Sequence, residues 1–525
     1  MRLKTQVIIM QTKTLNTIQD FKEATDTNVA YELTALVKQI YRADSGLNIF
    51  TIGDGKDTLK CVAFTKTGVA YGEITEGSIA TFQLKIKEYE GERQGTIQDA
   101  DVTKDPEANL RLRQNILINE YSGYAPKKTE LLLDLEEFRQ LKGDMLRAAT
   151  LIRGAIHKRR PILITHHGDC DGYAAGLLLE RAITEQVKHV HADIRYMQNY
   201  ILRNPSRTPY YSLGDVTKDI SFFQLNQQRA GTSAPLILIV DNGSTEQDLL
   251  AIKKAQLFGA DVMVIDHHDP GKKDENGKTA ICRNTLAHVN PHLVGIDKNL
   301  SASMLCYQIA AYLDELNEPS TLIAAVGGVA DKCEGNPIDH LVKQTKKTRA
   351  YLEELAKCID FEIYNTKFNH STGSLYELYD GPQQDALIDL YRPLMQQEEE
   401  KVAKTVQHFA KDTEHGAYHV VAVDGESTTL WGDYYSIGKV AAITHQTFTH
   451  DNQVTLVHSN NIIVFRVRQS KEHHFDVNEL LDELTTSVDY ARIDGGGHDV
   501  AGSIRFVAAA KEEILNFIYA YVARK

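Results

Sequence analysis

Between residues 30 and 105 apolar positions fall in short runs, ELTALVKQIY, LNIFTIGDG, TLKCVAFT and SIATFQLKIKEYEG. Turn signals at Asp44-Ser45-Gly46, Gly53-Asp54-Gly55 and Glu90-Gly91 separate them, which predicts four or five strands and a small barrel. Over 106–158 the spacing changes to three and four residues, as in ELLLDLEEFRQLKGDMLRAATLIRGAI, the period of a helix. From residue 161 short apolar strands alternate with helices. The strands are PILITHH (161–167), ADIRYM (192–197), APLILIVD (234–241) and DVMVIDHH (261–268). The helices are GYAAGLLLERAI, TEQDLLAIKKAQL and SASMLCYQIAAYLDEL. This alternation predicts an α/β domain with a mostly parallel sheet. A helical stretch over 341–358 reads as a bridge. A second, smaller α/β unit follows, with strands at AYHVVAVDG, QVTLVHS, NIIVFRVR and SIRFVA and a closing helix KEEILNFIYAYVARK.

Composition changes this picture little. A chain of 525 residues is too long for one core and suggests two to four domains. The apolar stretch Val7 to Met10 is too short for a signal-peptide core, and no run approaches the roughly 18 apolar residues of a membrane span. Six scattered cysteines without a CxxC suggest neither a zinc ribbon nor a disulfide framework, and fit a reducing cytoplasm. The net charge of −13 lacks the usual basic footprint of a nucleic-acid binder. Carboxylates gathered around a metal inflate the acidic count, however. The basic clusters His157-Lys158-Arg159-Arg160 and Lys343, Lys346, Lys347, Arg349 read most simply as solvated helix faces. Charge alone leaves the partner open.

The chemistry lies at the strand ends. In an open α/β sheet, ligands bind outside the carboxyl ends of the strands. The first strand here ends in His166, His167, Asp169 and Asp171, the next apolar run in Asp241 of VDNGS, and the last in Asp266-His267-His268. Asp169 and Asp171 crowd one strand end, so each raises the other's cost of ionising unless a cation or a proton settles the charge. A single strand-end Asp is often a helix N-cap. Three ends rich in Asp and His go beyond capping. Oxygen ligands mixed with imidazole suit manganese, magnesium or zinc, and the carboxylate weighting favours the first two. Asp331, after the small-residue run of AAVGGVAD, is a fourth contributor.

The motifs HGDCDG, VDNGS, DHH at 266–268, VNPH at 289–292 and GGVAD at 327–331 appear in the order of the DHH phosphoesterase superfamily, which the chain resembles over 115–525. DGGGHDVAGS at 494–503 resembles the glycine-rich signature of the DHH-associated C-terminal domain. The N-terminal barrel pattern is similar to an OB-fold. Together with the insertion NPSRTPYYSLGD, it makes the chain most similar to archaeal RecJ-like single-strand exonucleases. The implied fold class is α/β. An OB-like nucleic-acid-binding domain (1–110) precedes a parallel-sheet DHH catalytic domain (111–340), a helical linker (341–400) and a smaller α/β substrate-binding domain (401–525).

The resemblance also implies roles. His167, Asp169, Asp171, Asp241, His267 and Asp331 match the ligands of a centre holding two Mn2+ or Mg2+ ions, with Asp241 bridging. Asp169 and His167 would serve one ion, and Asp171, His267 and Asp331 the other. Asp266 and His268 form the catalytic pair, the first orienting its neighbours and the second near the attacking water or the scissile phosphate. His166 has no counterpart. His292 falls on the substrate side, and Arg468, His498 and the backbone of Gly495, Gly496 and Gly497 match a phosphate-gripping element. The implied activity is two-metal-dependent hydrolysis of single-stranded DNA or RNA from an end, with replication or repair proteins as further partners and no membrane. The competing readings are a phosphodiesterase of short oligonucleotides or cyclic dinucleotides, and a replisome-associated scaffold. An OB-like barrel would offer Phe50, Phe64, Tyr71 and Phe82 with Lys60, Lys66 and Lys85 to a single strand, although for each Phe the barrel core is the simpler expectation.

Overall fold

The period-two runs near the N-terminus close into a ring. The computed structural model describes residues 12–43, 47–63, 71–103, 106–191, 200–206, 208, 210–275, 277–296, 299–314, 318–366, 373–428 and 436–525. Strands β2 (Ala30–Arg42), β3 (Asn48–Gly53), β4 (Thr58–Ala63), β5 (Ile79–Tyr89) and β6 (Glu92–Val102) pair in the order β2-β3-β4-β6-β5, and β5 returns to β2. The short β1 (Thr12–Leu15) adds to β2 in parallel. This is a closed, OB-like five-stranded barrel.

Alternate residues of β2, among them Leu33, Ala35 and Val37, fill the barrel interior. Phe50 and Phe82 meet there edge to face, with ring centroids 6.2 Å apart, and both are fully buried. They are barrel core rather than a stacking platform. Tyr71 packs half-buried against the same core and Lys60 is exposed, while Phe64 and Lys66 lie outside the described residues.

Two arginines tie this region to the parallel sheet. Arg113, on the helix Pro106–Tyr121, reaches Asp261 at 3.2 Å, and the nearly buried Arg160 reaches the other oxygen of Asp261 at 2.6 Å. Arg160 also donates to the carbonyls of Ala234 and Pro235. Its cluster is therefore not simply a solvated face. A buried carboxylate consumes the charge.

The continuous apolar runs form the parallel sheet: β7 (Ile162–His166), β8 (Ile201–Pro205), β9 (Leu236–Val240), β10 (Asp261–Ile265) and β11 (His288–Val289). Every residue of β7, β9 and β10 is buried, as expected of strands covered on both faces. The spatial order is β8-β7-β9-β10-β11, all parallel. The chain thus leaves β7 for one edge, then crosses back to β9, so the direction of winding reverses between β7 and β9. Ligands bind in the crevice at such a switch point.

Two expectations shift. ADIRYM at 192–197 falls outside the described residues, and the strand beside β7 is Ile201–Pro205. The helix expected to include ELLLDL begins only at Glu136.

Contact density divides the chain into residues 1–356 and 357–525. The second unit carries a mixed sheet of β12 (Lys411–His415), β13 (Tyr418–Asp424), β14 (Gln453–His458), β15 (Ile462–Arg468), β16 (Asp494–His498) and β17 (Ala501–Arg505), in the order β12-β13-β14-β15-β17-β16. Val420, Leu456, Phe465 and Ile504 from the sheet, with Leu480 and Ile518 from two helices, make its core. The glycine cluster is a strand here rather than a loop. A Cβ on Gly495 would lie 2.2 Å from the Ser503 carbonyl oxygen, and one on Gly497 2.4 Å from that of Ala501, so β16 can approach β17 only without side chains there. No helix among the described residues is long and apolar enough to cross a membrane.

Candidate functional site

Backbone hydrogen bonds continue past the ends of the strands and align their carboxyl termini. The His167 amide donates to Val240, that of Asp241 to Ile265, and that of Asp266 to Val289. The three ends are therefore held side by side at the switch point. Asp169 caps the helix Cys170–Val190, its side chain accepting from the Gly172 amide at 3.0 Å. Asp171 lies inside the first turn of that helix and is itself held, accepting from the amides of Ala302 (2.8 Å) and Ser303 at the start of the helix Ala302–Leu313. Asp241 follows β9 in a left-handed conformation, φ +58°, a strained state for a non-glycine residue of the kind that clusters at functional sites.

Two clusters result, and Asp241 touches both. On one side His167 Nδ1 lies 3.1 Å from Asp169 and 3.7 Å from Asp241 Oδ2. On the other, His267 Nε2 lies 3.3 Å from Asp241 Oδ1 and 3.0 Å from Asp331. Asp171 joins His267 and Asp331, with ligand atoms all within 4.8 Å. Close packing depends on Gly172 and Gly327. A Cβ on Gly172 would stand 2.3 Å from the His167 carbonyl oxygen and 3.0 Å from Asp241 Oδ2. One on Gly327 would stand 2.6 Å from Asp171 Oδ1.

The electrostatics are unbalanced. Burial, reinforced by Asp241 and Asp331, pushes the Asp171 carboxyl well above the usual carboxylate range. Burial also raises Asp331, with the His267 charge opposing it. For His267, burial disfavours the charged imidazole, but Asp331 and Asp241 outweigh it and hold the group well above its ordinary range. Asp169 and Asp241 do the same for His167. Both oxygens of the buried Asp241 and both ring nitrogens of His267 lack a hydrogen-bond partner. Buried polar atoms are normally paired, so these orphans, among crowded carboxylates whose ionisation burial and mutual repulsion oppose, fit divalent cations.

Asp266 has a different task. Fully buried, it accepts from the amides of Ser244, His267 and His268 and from His268 Nδ1 at 2.8 Å. Burial opposes its charge, but His268 and these donors hold it far below the carboxylate range. It thus fixes the DHH turn. Behind it, Ser244 joins His288 Nε2 at 2.9 Å and accepts from Asn290, which also donates to the His268 carbonyl. His292 follows, half-buried, its amide bonded to Asn290.

His166 is separate from the cluster. It is fully buried, Nδ1 lies 2.6 Å from the His167 carbonyl, and Nε2 accepts from Arg203 at 2.7 Å. Burial and the Arg203 charge hold it well below its ordinary range, hence neutral. His167→Ala should therefore weaken manganese binding and activity at least tenfold more than His166→Ala. The latter opens a buried cavity and should cost about 2–4 kcal/mol in urea unfolding. Equal losses of metal binding would show that the motif is misaligned over these two histidines.

A pH dependence follows as well. Burial lowers His288 to about 4 from an ordinary 6.5. Because the unfolded chain binds its proton first, this stabilisation is full above about pH 6.5 and is lost as pH falls towards 4, about 3 kcal/mol in all. The urea midpoint should drop over that interval, and less steeply in His288→Gln.

In the second unit, Arg468 is already committed. Its guanidinium donates to the carbonyls of His445, Phe448 and His450 and to Gln453 Oε1. Arg466 shares the same strand face, opposite Ala501, which in turn pairs with His498. It is partly buried, bonds only the Phe465 carbonyl and has no ion pair among the described residues. Desolvation lowers its pKa. The His498 side chain lies outside what the structure describes.

A parallel sheet whose switch point gathers Asp and His from successive strand ends defines the DHH type of fold, and the model of the DHH family, N-terminal domain, matches residues 161–327. The chain belongs to this family. A solved structure described as the DHH domain of a member of the s1p family of ribosomal proteins is 30% identical to it. The match covers 79% of this chain and 97% of that one, with a TM-score of 0.73. The manganese-bound RecJ of Thermus thermophilus shares the fold at 16% identity and a TM-score of 0.52, over 80% of this chain and 59% of that one. An uncharacterized protein of Methanocaldococcus jannaschii is 29% identical over an alignment of 503 positions that covers 90% of this chain, and the chain spans 66% of the length of that relative.

Proposed function

We propose that this chain is a divalent-metal-dependent phosphodiesterase that hydrolyses single-stranded nucleic acid from an end. The supporting observation is the buried Asp241 carboxylate, without a hydrogen-bond partner and shared between two His/Asp clusters. In this reading His167, Asp169 and Asp241 would hold a Mn2+ or Mg2+ ion, and Asp171, His267 and Asp331, with Asp241 beside them, would hold a second. Such ions, when bound, acidify a water and neutralise phosphate charge. The chain's own residues do the rest. Asp266 keeps His268 oriented through Nδ1. Burial disfavours the charged ring, but Asp266 outweighs it and raises its pKa, so His268 carries a proton for the phosphate or the leaving oxygen.

Arg466 is the better placed cation for a neighbouring phosphate, since Arg468 is spent on the 445–453 segment. Arg466→Ala should raise KM about 10- to 100-fold with little change in kcat. Arg468→Ala should instead lower stability.

The barrel favours keeping a second reading. Phe50 and Phe82 lie in the barrel core, as was the simpler expectation, and leave its surface without two aromatics that a base-stacking face could have used, which suits a phosphodiesterase of short oligonucleotides. A scaffold without catalysis is the weakest reading, because all six candidate ligand positions carry liganding residues. None of the six cysteines forms a disulfide, which accords with a cytoplasmic setting. End-labelled DNA and RNA strands of graded length, incubated with manganese, separate these cases. Stepwise release of nucleotides from long strands supports the exonuclease, and cleavage confined to the shortest oligomers supports the second reading. Inactivity on all lengths overturns both.

A further inference from the structure

Behind the DHH turn, side chains that the candidate metal cluster does not use join in one continuous chain of hydrogen bonds. It begins at the helix Ala280–Asn284, whose capping residue Thr279 donates its hydroxyl to Cys282 Sγ at 3.4 Å. Cys282 Sγ lies 3.3 Å from His288 Nδ1, and His288 Nε2 lies 2.9 Å from Ser244 Oγ. The Ser244 amide reaches Asp266 Oδ2 at 3.1 Å, and the Ser244 side chain is a further hydrogen-bond partner of that carboxylate. Asp266 Oδ1 in turn accepts from His268 Nδ1 at 2.8 Å.

The supply of donors fixes the direction of this chain. Ser244 Oγ already accepts from Asn290 Nδ2 at 2.9 Å. Its own proton goes to the Asp266 carboxylate, which only accepts. The remaining lone pair then takes a proton from His288, so the ring proton sits on Nε2 and Nδ1 accepts from the Cys282 thiol. Every donor points inward, Thr279 to Cys282, Cys282 to His288, His288 to Ser244 and Ser244 to Asp266. Bonds in such a series strengthen one another in a dry interior, and His288, Ser244, Asn290 and Asp266 are all buried. His288 and Asn290 are alternate residues of one extended segment, so both face the turn, and Asn290 also holds the His268 carbonyl. Ser244 needs such an anchor, because it follows Gly243, φ +99°, a backbone position with no side chain to hold it.

We propose that His288 is a positioning residue for the DHH turn, acting through Ser244 to fix the Asp266 carboxylate and with it the His268 ring. Its effect on turnover rests on the phosphodiesterase reading, in which His268 serves the phosphate; the hydrogen-bond chain does not rest on it. Without His288, Ser244 keeps only the Asn290 donor, and its hydroxyl is free to turn away from Asp266. A shift of about 1 Å in the group that moves a proton costs up to about 10²-fold in rate. His288 belongs to none of the clusters of candidate metal ligands, so metal binding is spared.

The test uses the full chain with 15N-labelled histidines, and the same protein in cleavage assays with manganese. In the metal-free wild type, His288 should carry its proton on Nε2 with Nδ1 bare, and His268 Nδ1–H should give a hydrogen-bonded, slowly exchanging signal. His288→Ala should lose that signal, and His288→Gln, whose amide reaches the place of Nε2, should keep it. In cleavage, His288→Ala should lower kcat about 10- to 100-fold with KM and the manganese dissociation constant unchanged, and His288→Gln should recover most of the loss. In a Ser244→Ala background, His288→Ala should cost nothing further. The reverse tautomer at His288, a His268 signal that survives His288→Ala, or losses that multiply in the double variant would each overturn the proposal. A merely structural His288 gives such multiplying losses and no rescue by Gln. A wild type that cleaves no strand would overturn the phosphodiesterase reading, and the proton signals would still decide the role of His288.

Discussion

Asp241→Asn should abolish manganese-supported cleavage of single-stranded DNA, lowering kcat/KM by about 10³-fold or more, some 4 kcal/mol of transition-state stabilisation. In the same protein the metal-free melting temperature should rise by about 2 °C or more. The two effects have one origin. The carboxylate is buried, its oxygens have no hydrogen-bond partner, and it raises the cost of ionising Asp171 and Asp331. Removing its charge relieves its repulsion of Asp171 and Asp331, which a cation offsets beyond what the charged His167 and His267 rings do. Asn is the informative replacement because it tolerates the left-handed backbone at least as well as Asp, so φ +58° at this position adds no new strain. Thermal melts with a chelator and then with manganese provide the check. Added manganese should stabilise the wild type through linkage and leave Asp241→Asn nearly unmoved. A variant that melts lower without metal and still cleaves would contradict the placement of Asp241 at the heart of the site.

This trade between stability and function is also what made the site readable. Strands covered on both faces must be continuous apolar runs, and LILIV and DVMVI are such runs. Ionisable residues immediately after them therefore fall at the carboxyl edge, the side where such sheets bind ligands. Burial hid the rest. β8 reads ILRNP, with two polar residues in its middle. Arg203 is consumed by Glu180 and His166, and Asn204 by Asp219, so a strand at the sheet edge lost its apolar signature to internal partners. β6, ERQGTIQDADV, buries little besides Ile97 and Ala100, because closing a ring needs its backbone more than its side chains. Arg160 and Arg468 looked like surface or substrate charges. Each is spent on protein acceptors that are distant in sequence, and no local pattern announces them. The small-residue run before Asp331 did suggest close approach, but not what approaches.

That last point yields the sharpest packing prediction. Gly327 lies within the helix Glu318–Ala330, where Gly→Ala ordinarily stabilises by about 1 kcal/mol. Here the sign should reverse. A Cβ would stand 2.3 Å from Ser303 Oγ and 2.6 Å from Asp171 Oδ1. Neither can retreat, since the Ser303 amide holds Asp171 and the Ser303 hydroxyl bonds the Ala324 carbonyl. The Asp331 amide donates to the Gly327 carbonyl, so any shift of this helix turn also moves a second candidate ligand. Gly327→Ala should cost about 2–3 kcal/mol in urea unfolding and lower activity about 10²-fold through misplaced carboxylates. The adjacent Gly328 is the control. Its Cβ would meet only the flexible ends of Ile338 and Met304, at 2.9 and 3.0 Å, so Gly328→Ala should change stability by less than about 1 kcal/mol. A Gly327→Ala chain that is more stable and fully active would mean that Asp171 is not held where the site requires it.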